Sequence, residues 1–370
     1  MSLLTAELRK VWGNRVFPML LAVLVTANLL LLWMGTRPTS NQPPAAAYRA
    51  VGADLAALGS DMAAKGDLLH SKLDETESLL RLENYFRDSA YGNSVIQQNY
   101  REENAALFDQ YEQMYRDKSY TLYTDSLTME YRLLTQLVNE YDTVAGYTDF
   151  LESVQTKAGQ LAGISIFQND ETGYDLKNIE VTAAVYAGLG ETAIDYYPQK
   201  GLYTAISYAF TDLILLASML VLALLLVRQE RDSGLLSLVR SLPAGRLHTA
   251  LAKLGSFALS LLAVLVLLYG VNLAYCAATF DLGPLTRTIQ SVPALMRCTM
   301  QITVGQYLFR FLLAKWAGAF VMGLWAARDV RHPCHNPGYQ PAECHQIRKP
   351  CQPTANQRAV GELPQSVLVR

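Results

Sequence analysis

Charge is missing, or all but missing, from three long stretches of the chain. Residues 254–276 contain no Asp, Glu, Lys or Arg, and residues 206–227 contain one, Asp212. Residues 16–33 are uncharged too, and only Pro18, Thr26 and Asn28 interrupt their apolar run. Each stretch meets the ~20 residues a helix needs to cross ~30 Å of hydrocarbon. Backbone amides find no water partner at that depth, so an irregular chain is excluded there and helices are required. A fourth run, residues 307–326, is weaker because Arg310 and Lys315 lie inside it.

Cysteine is absent from residues 36–203, so no disulfide staples that segment. Proline is absent from residues 48–160, where nothing interrupts helical periodicity. Apolar side chains recur there at helical spacing: Leu55, Leu58 and Met62; Leu69 and Leu73; Leu79, Leu82 and Phe86; Leu127, Leu134 and Val138. The pattern predicts two to four long amphipathic helices, with Gly92-Asn93 as a turn between the first two. Heptads are not sustained well enough for a regular coiled coil. The many tyrosines, among them Tyr100, Tyr111, Tyr131 and Tyr141, read as half-buried helix positions with the hydroxyl in water. Residues 163–167 are short and β-branched, and a further amphipathic helix is expected over 179–189.

Several chemistries are missing as well. No Gly-x4-Gly-Lys-Ser/Thr is present to cradle a phosphate, and neither His-Glu-x-x-His nor Gly-x-Ser-x-Gly occurs. The expectation is a protein that is not an enzyme and holds no cofactor or metal. The tail carries Cys334-His335, Cys344-His345 and Cys351, zinc-type ligands whose spacing matches no structural zinc site.

What is present is a polar separation of charge. Residues 36–203 hold 13 basic and 25 acidic side chains, a net of −12, and the rest of the chain holds 18 and 8, a net of +10. Arg9, Lys10 and Arg15 precede the first apolar run, and Arg228, Arg231, Arg240, Arg246 and Lys253 follow the second. Basic flanks stay in the cytoplasm. The expectation is therefore an all-α, multi-pass protein of a cell inner (plasma) membrane, with a cytoplasmic N-terminus. Three strong spans and one weak one are read, with a long helical extracytoplasmic domain between the first two. The boundaries are an amphipathic helix over 1–15, spans over 16–35, 204–227, 254–276 and 307–326, the domain over 36–203, a cytoplasmic connector over 228–253 and an outer loop over 277–306. The first run reads as an anchor rather than a cleaved signal peptide, because it is long and Met34–Pro38 offers no small-residue cleavage site.

Before the first span, Leu4, Leu8, Val11 and Trp12 share one helical face, with Glu7, Arg9 and Lys10 off it. Such a helix lies in the headgroup plane or extends the first span. Asp212 is the intramembrane polar candidate, functional by default or else solvated near its helix end. In the connector, Ser233 is placed to cap a short helix and Pro243 and Gly245 to turn the chain. Residues 327–370 read either as an out-of-frame continuation or as a disordered tail, and 332–370 hold six prolines and no apolar periodicity.

The connector resembles that of ABC-2 type permeases, the membrane subunits of ATP-binding-cassette exporters. The shared pattern is Glu230, Gly234, Leu235, Leu236, Pro243, Arg246 and Lys253. An early first span and a large helical insertion after it are similar too, as is the stretch 147–186, and the likeness runs over residues 1–325. It implies that these connector residues and the N-terminal helix engage a separate ATPase, with a second permease subunit or a homodimer completing the pathway. The partners so implied are protein and lipid, not nucleic acid. The family usually has six spans, and this chain departs from that beyond residue 326. The rival reading is a membrane-anchored sensor or scaffold that displays its helical domain without transport.

Overall fold

A computed structural model describes residues 3–39, 42–89, 94–164, 173–232 and 245–331. The described residues are helical, with isolated bridges at Thr39–Gln42 and Thr288–Thr303 and no strand.

Among the described residues, four helices are long and apolar enough to cross a membrane. The first is α2 (Val16–Gly35), preceded by the amphipathic α1 (Leu3–Trp12). Asn14 makes the joint, its side-chain oxygen accepting from the Val16 amide at 3.1 Å. Pro18 falls in the first turn of α2, where its missing N–H costs nothing. The second span is α10 (Lys200–Ser207) with α11 (Ala209–Asp232), parted at Tyr208, which leaves helical geometry at ψ 101°. The third is α12 (Gly245–Thr279) and the fourth α13 (Val304–Arg331). The α12 helix begins nine residues before the span read from sequence, so Lys253 stands within it rather than in the connector. The α13 helix is continuous past both Arg310 and Lys315.

Phe17 and Leu21 of α2, Met219 and Leu222 of α11, and Leu261 and Leu265 of α12 form the bundle core, with Trp316 and Phe320 of α13 against them. The Trp316 indole N–H donates to the Ala258 carbonyl at 2.9 Å and fastens α13 to α12.

The large domain holds α3 (Ala45–Ala57), α4 (Met62–Ser89), α5 (Ser94–Glu103), α6 (Ala105–Asp117), α7 (Leu127–Ala145), α8 (Tyr147–Ala162) and α9 (Tyr174–Ala187). Ser126 caps α7 by accepting from the Met129 amide. Leu55, Leu69, Leu134 and Val138 are buried as their spacing predicts, whereas Leu58 is exposed because α3 stops at it, ahead of Gly59 in the left-handed region at φ 63°. The tyrosines divide. Tyr141 is buried and donates to the Met62 carbonyl, and Tyr85, Tyr100 and Phe108 form an aromatic cluster between α4, α5 and α6. The expected helix over 179–189 is α9, which starts five residues earlier. Gly92-Asn93 and residues 165–167 fall outside the described residues.

The segment 277–306, expected as a loop, is ordered through two short 3-10 turns, Ile289–Ser291 and Pro293–Leu295. Leu282 and Val292 pack with Leu32, Leu202 and Cys276, and so seat this segment on the bundle.

A polar belt as candidate functional site

The bundle core is crossed by polar side chains at one depth. Asn28 of α2, Thr211 of α11 and Asn272 of α12 are fully buried. They close a ring: Asn28 donates to Asn272 Oδ1 at 2.7 Å, Asn272 to Thr211 Oγ1 at 2.7 Å, and Thr211 to Asn28 Oδ1 at 2.8 Å. Each side chain can both donate and accept, so each spends one donor and one acceptor on the ring. Asn28 and Asn272 stand about 10 Å from the domain-side ends of their helices at 1.5 Å per residue.

The next residue along α11 carries the belt to the fourth span. Lys315 Nζ donates to Asp212 Oδ1 and Oδ2 at 2.8 and 2.7 Å. The Tyr269 hydroxyl of α12 donates to Oδ1 at 2.6 Å. Lys315 lies about 16 Å from Val304 along α13, near the middle of the span-length stretch Val304–Ala326. Read in sequence, Lys315 is a defect in a weak span and Asp212 a lone carboxylate near a helix end. Folding brings them together, and each charge answers the other. A lone charge at a span's centre costs about 2.5–3.5 kcal/mol on insertion scales. Arg310 lies nearer the domain side, with its guanidinium 3.1 Å from Met300 Sδ.

The ion pair is not sealed in. In the isolated chain Asp212 is 43% exposed and Lys315 32%. They line an open groove of about 400 Å³ between α11 and α13, whose walls are Leu215, Leu216, Phe311, Ala314, Gly318 and Met322 among others. Among the described residues that line it, only the pair is charged. Sequence reasoning reached Asp212 and missed Lys315, Tyr269, Asn28, Thr211 and Asn272. The available signal was Asn28 interrupting an apolar run and a lysine interrupting another.

At the far end of the bundle, α1 packs on α12 and α11. Val11 and Glu7 are buried, Trp12 Nε1 donates to Ser260 Oγ at 3.1 Å, and Leu4 lies against Gly255. Glu7, expected off the apolar face, belongs to the buried stripe, because positions 4, 7, 8 and 11 share one side of a helix. Its charge is met by Lys10. Of the connector candidates, Gly234, Leu235, Leu236 and Pro243 lie outside the described residues, as do the tail's Cys and His. Glu230 ends up in the last turns of α11 and Arg246 in the first turn of α12, their side chains outside the described residues, and Lys253 is half-buried in α12.

A second polar cluster joins the domain to the bundle. Arg287 is buried, donates to the Tyr197 carbonyl at 3.0 Å and lies over the Tyr197 ring. Burial lowers its pKa, and Asp195 and Glu140 nearby oppose that. Burial would raise the Asp281 carboxyl, but the Tyr197 hydroxyl and the amides of Gly283 and Leu282 outweigh it and hold it below the usual range. Lys65, also buried, pairs with Asp195. These contacts clamp the two parts together.

No known protein family, curated protein or solved structure matches the chain.

Proposed function

We propose that the chain is the permease subunit of an ATP-binding-cassette exporter of the ABC-2 type, moving its substrate with energy from a separate ATPase. One observation carries the reading beyond resemblance. The segment 228–253, with its Glu230, Gly234, Leu235, Leu236, Pro243, Arg246 and Lys253 pattern, joins the ends of α11 and α12, and α1 packs on those same two helices. A protein docked on the connector would therefore meet α1 as well. It would act directly on the helices that carry Asp212, Tyr269 and Asn272. A push at the connector end becomes a shift of α11 and α12 against α2 and α13, and the belt is where the four register it. In this reading the connector and α1 are cytoplasmic, the large domain lies outside, and a second permease copy completes the pathway.

Leu235→Asp tests the docking, because it places an unpaired charge in a contact that must lose its water. Co-expressed ATPase should cease to co-purify with that variant, while membrane insertion and yield stay as in the wild type. Undiminished co-purification would remove the connector as the docking element.

A further inference from the structure

The ion pair and its groove have the makings of a ligand site. A carboxylate offers about four acceptor positions and an ammonium three donors. Lys315 spends two donors on Asp212, and Asp212 receives those two and the Tyr269 hydroxyl. By this count one donor of Lys315, whose ammonium also lies 5.3 Å from the centre of the Phe311 ring, and one acceptor of Asp212 remain on two residues that line the groove. Water would fill such positions at a surface, but the apolar layer supplies none. From the pair, Leu215 and Leu216 on α11 and Gly318 and Met322 on α13 continue the groove toward the connector end as an apolar track. Ala314 and Gly318 keep it wide, and a Cβ added at Gly318 would meet nothing within 4 Å.

We propose that this groove binds phosphatidylethanolamine, its ammonium on Asp212, its phosphate on Lys315 and an acyl chain along the track. The chemistry selects that headgroup. A quaternary choline has no N–H for the open acceptor of Asp212. A phosphatidylglycerol headgroup brings an anion to Lys315 and offers Asp212 only neutral hydroxyls, a weaker partner than an ammonium. A headgroup held here lies deeper than those of either leaflet, at a depth a lipid reaches only while crossing. Calling the lipid a substrate rests on the permease reading, whereas its binding does not.

The test uses the full chain in detergent with equimolar phosphatidylethanolamine, phosphatidylcholine and phosphatidylglycerol, with retained lipid weighed by native mass spectrometry. Phosphatidylethanolamine should be retained about tenfold over each of the others, a preference of ~1.4 kcal/mol. Asp212→Asn should abolish the preference over phosphatidylcholine. Gly318→Leu, which fills the track without touching the ion pair, should cut retention about fivefold at an unchanged melting temperature. Equal retention of the three lipids, a preference for phosphatidylglycerol, or no effect of Gly318→Leu would each overturn the proposal. So would a Gly318→Leu variant that splits a dimer while keeping its lipid, since the groove would then belong to a second copy. No ATPase is present in this assay, so its failure with intact ATPase capture removes the lipid alone. Failure of the wild-type chain to capture the ATPase, with lipid selectivity intact, removes the permease reading alone.

Discussion

Asp212 and Lys315 are two residues whose meaning depends on each other. Removing one partner leaves the other as a lone charge in the apolar layer, at about 2.5–3.5 kcal/mol. Removing both leaves apolar or amide groups that need no counter-charge, which is often neutral for such pairs. Lys315→Met and Asp212→Asn should therefore each lower the melting temperature of the detergent-solubilised protein, and the double variant should recover most of the loss. The measurement is a double-mutant cycle by thermal unfolding, with a coupling of about 2 kcal/mol or more expected for groups in direct contact. Additive losses in the cycle would mean that the two charges are held by other groups. The neighbouring ring of Asn28, Thr211 and Asn272 should contribute less per contact, about 0.6–2 kcal/mol, because helices separated in a membrane find other partners for such groups.

The elements themselves were largely legible. Runs with at most one charge mark α2, α11 and α12, because length and hydrophobicity suffice to define a span. Periodicity marks α3, α4 and α7 through Leu55, Leu69 and Leu134. What periodicity cannot show is which helices are neighbours. Lys315 becomes the partner of Asp212 only when α13 lies along α11, and nothing local to residue 315 encodes that. The same holds for the junction between domain and bundle, where Tyr197 threads between two glycines. A Cβ at Gly52 would approach the Tyr197 hydroxyl to 2.5 Å, and one at Gly283 would approach its ring to 2.5 Å. Gly283 also has φ 66°. Gly283→Ala should thus destabilise the protein by about 1–3 kcal/mol from backbone strain, with overpacking added. Gly270→Ala in α12, whose Cβ would meet nothing within 4 Å, is the control and should leave stability unchanged or raise it by up to about 1 kcal/mol. Thermal unfolding of the two variants decides it, and equal melting temperatures would mean that Tyr197 yields freely.

At the scale of the whole molecule, the four spans and the clamped domain define two ends, and charge assigns them to sides. Total charge is a poor guide, since a long domain crosses the membrane regardless of its acidity. Short loops beside the spans decide. The connector 228–253 holds five basic residues, and Arg9, Lys10 and Arg15 lie at the same end of the bundle. The segment 277–306 at the opposite end holds two, Arg287 and Arg297, and Arg287 is buried rather than free to anchor at a headgroup. Parity agrees, because α2 and α13 each carry the chain between the same two ends as α11 and α12. The connector end should therefore face the cytoplasm and the large domain the outside. A variant with residues 276, 298, 334, 344 and 351 changed from Cys to Ser gives a clean background for site-specific labelling. On it, Ser119→Cys, exposed after α6, should react with an impermeant maleimide in intact cells, and Ser237→Cys in the connector should react only after the membrane is opened. The reverse pattern would invert the molecule. It would place the proposed ATPase-docking segment where no cytoplasmic partner could reach it.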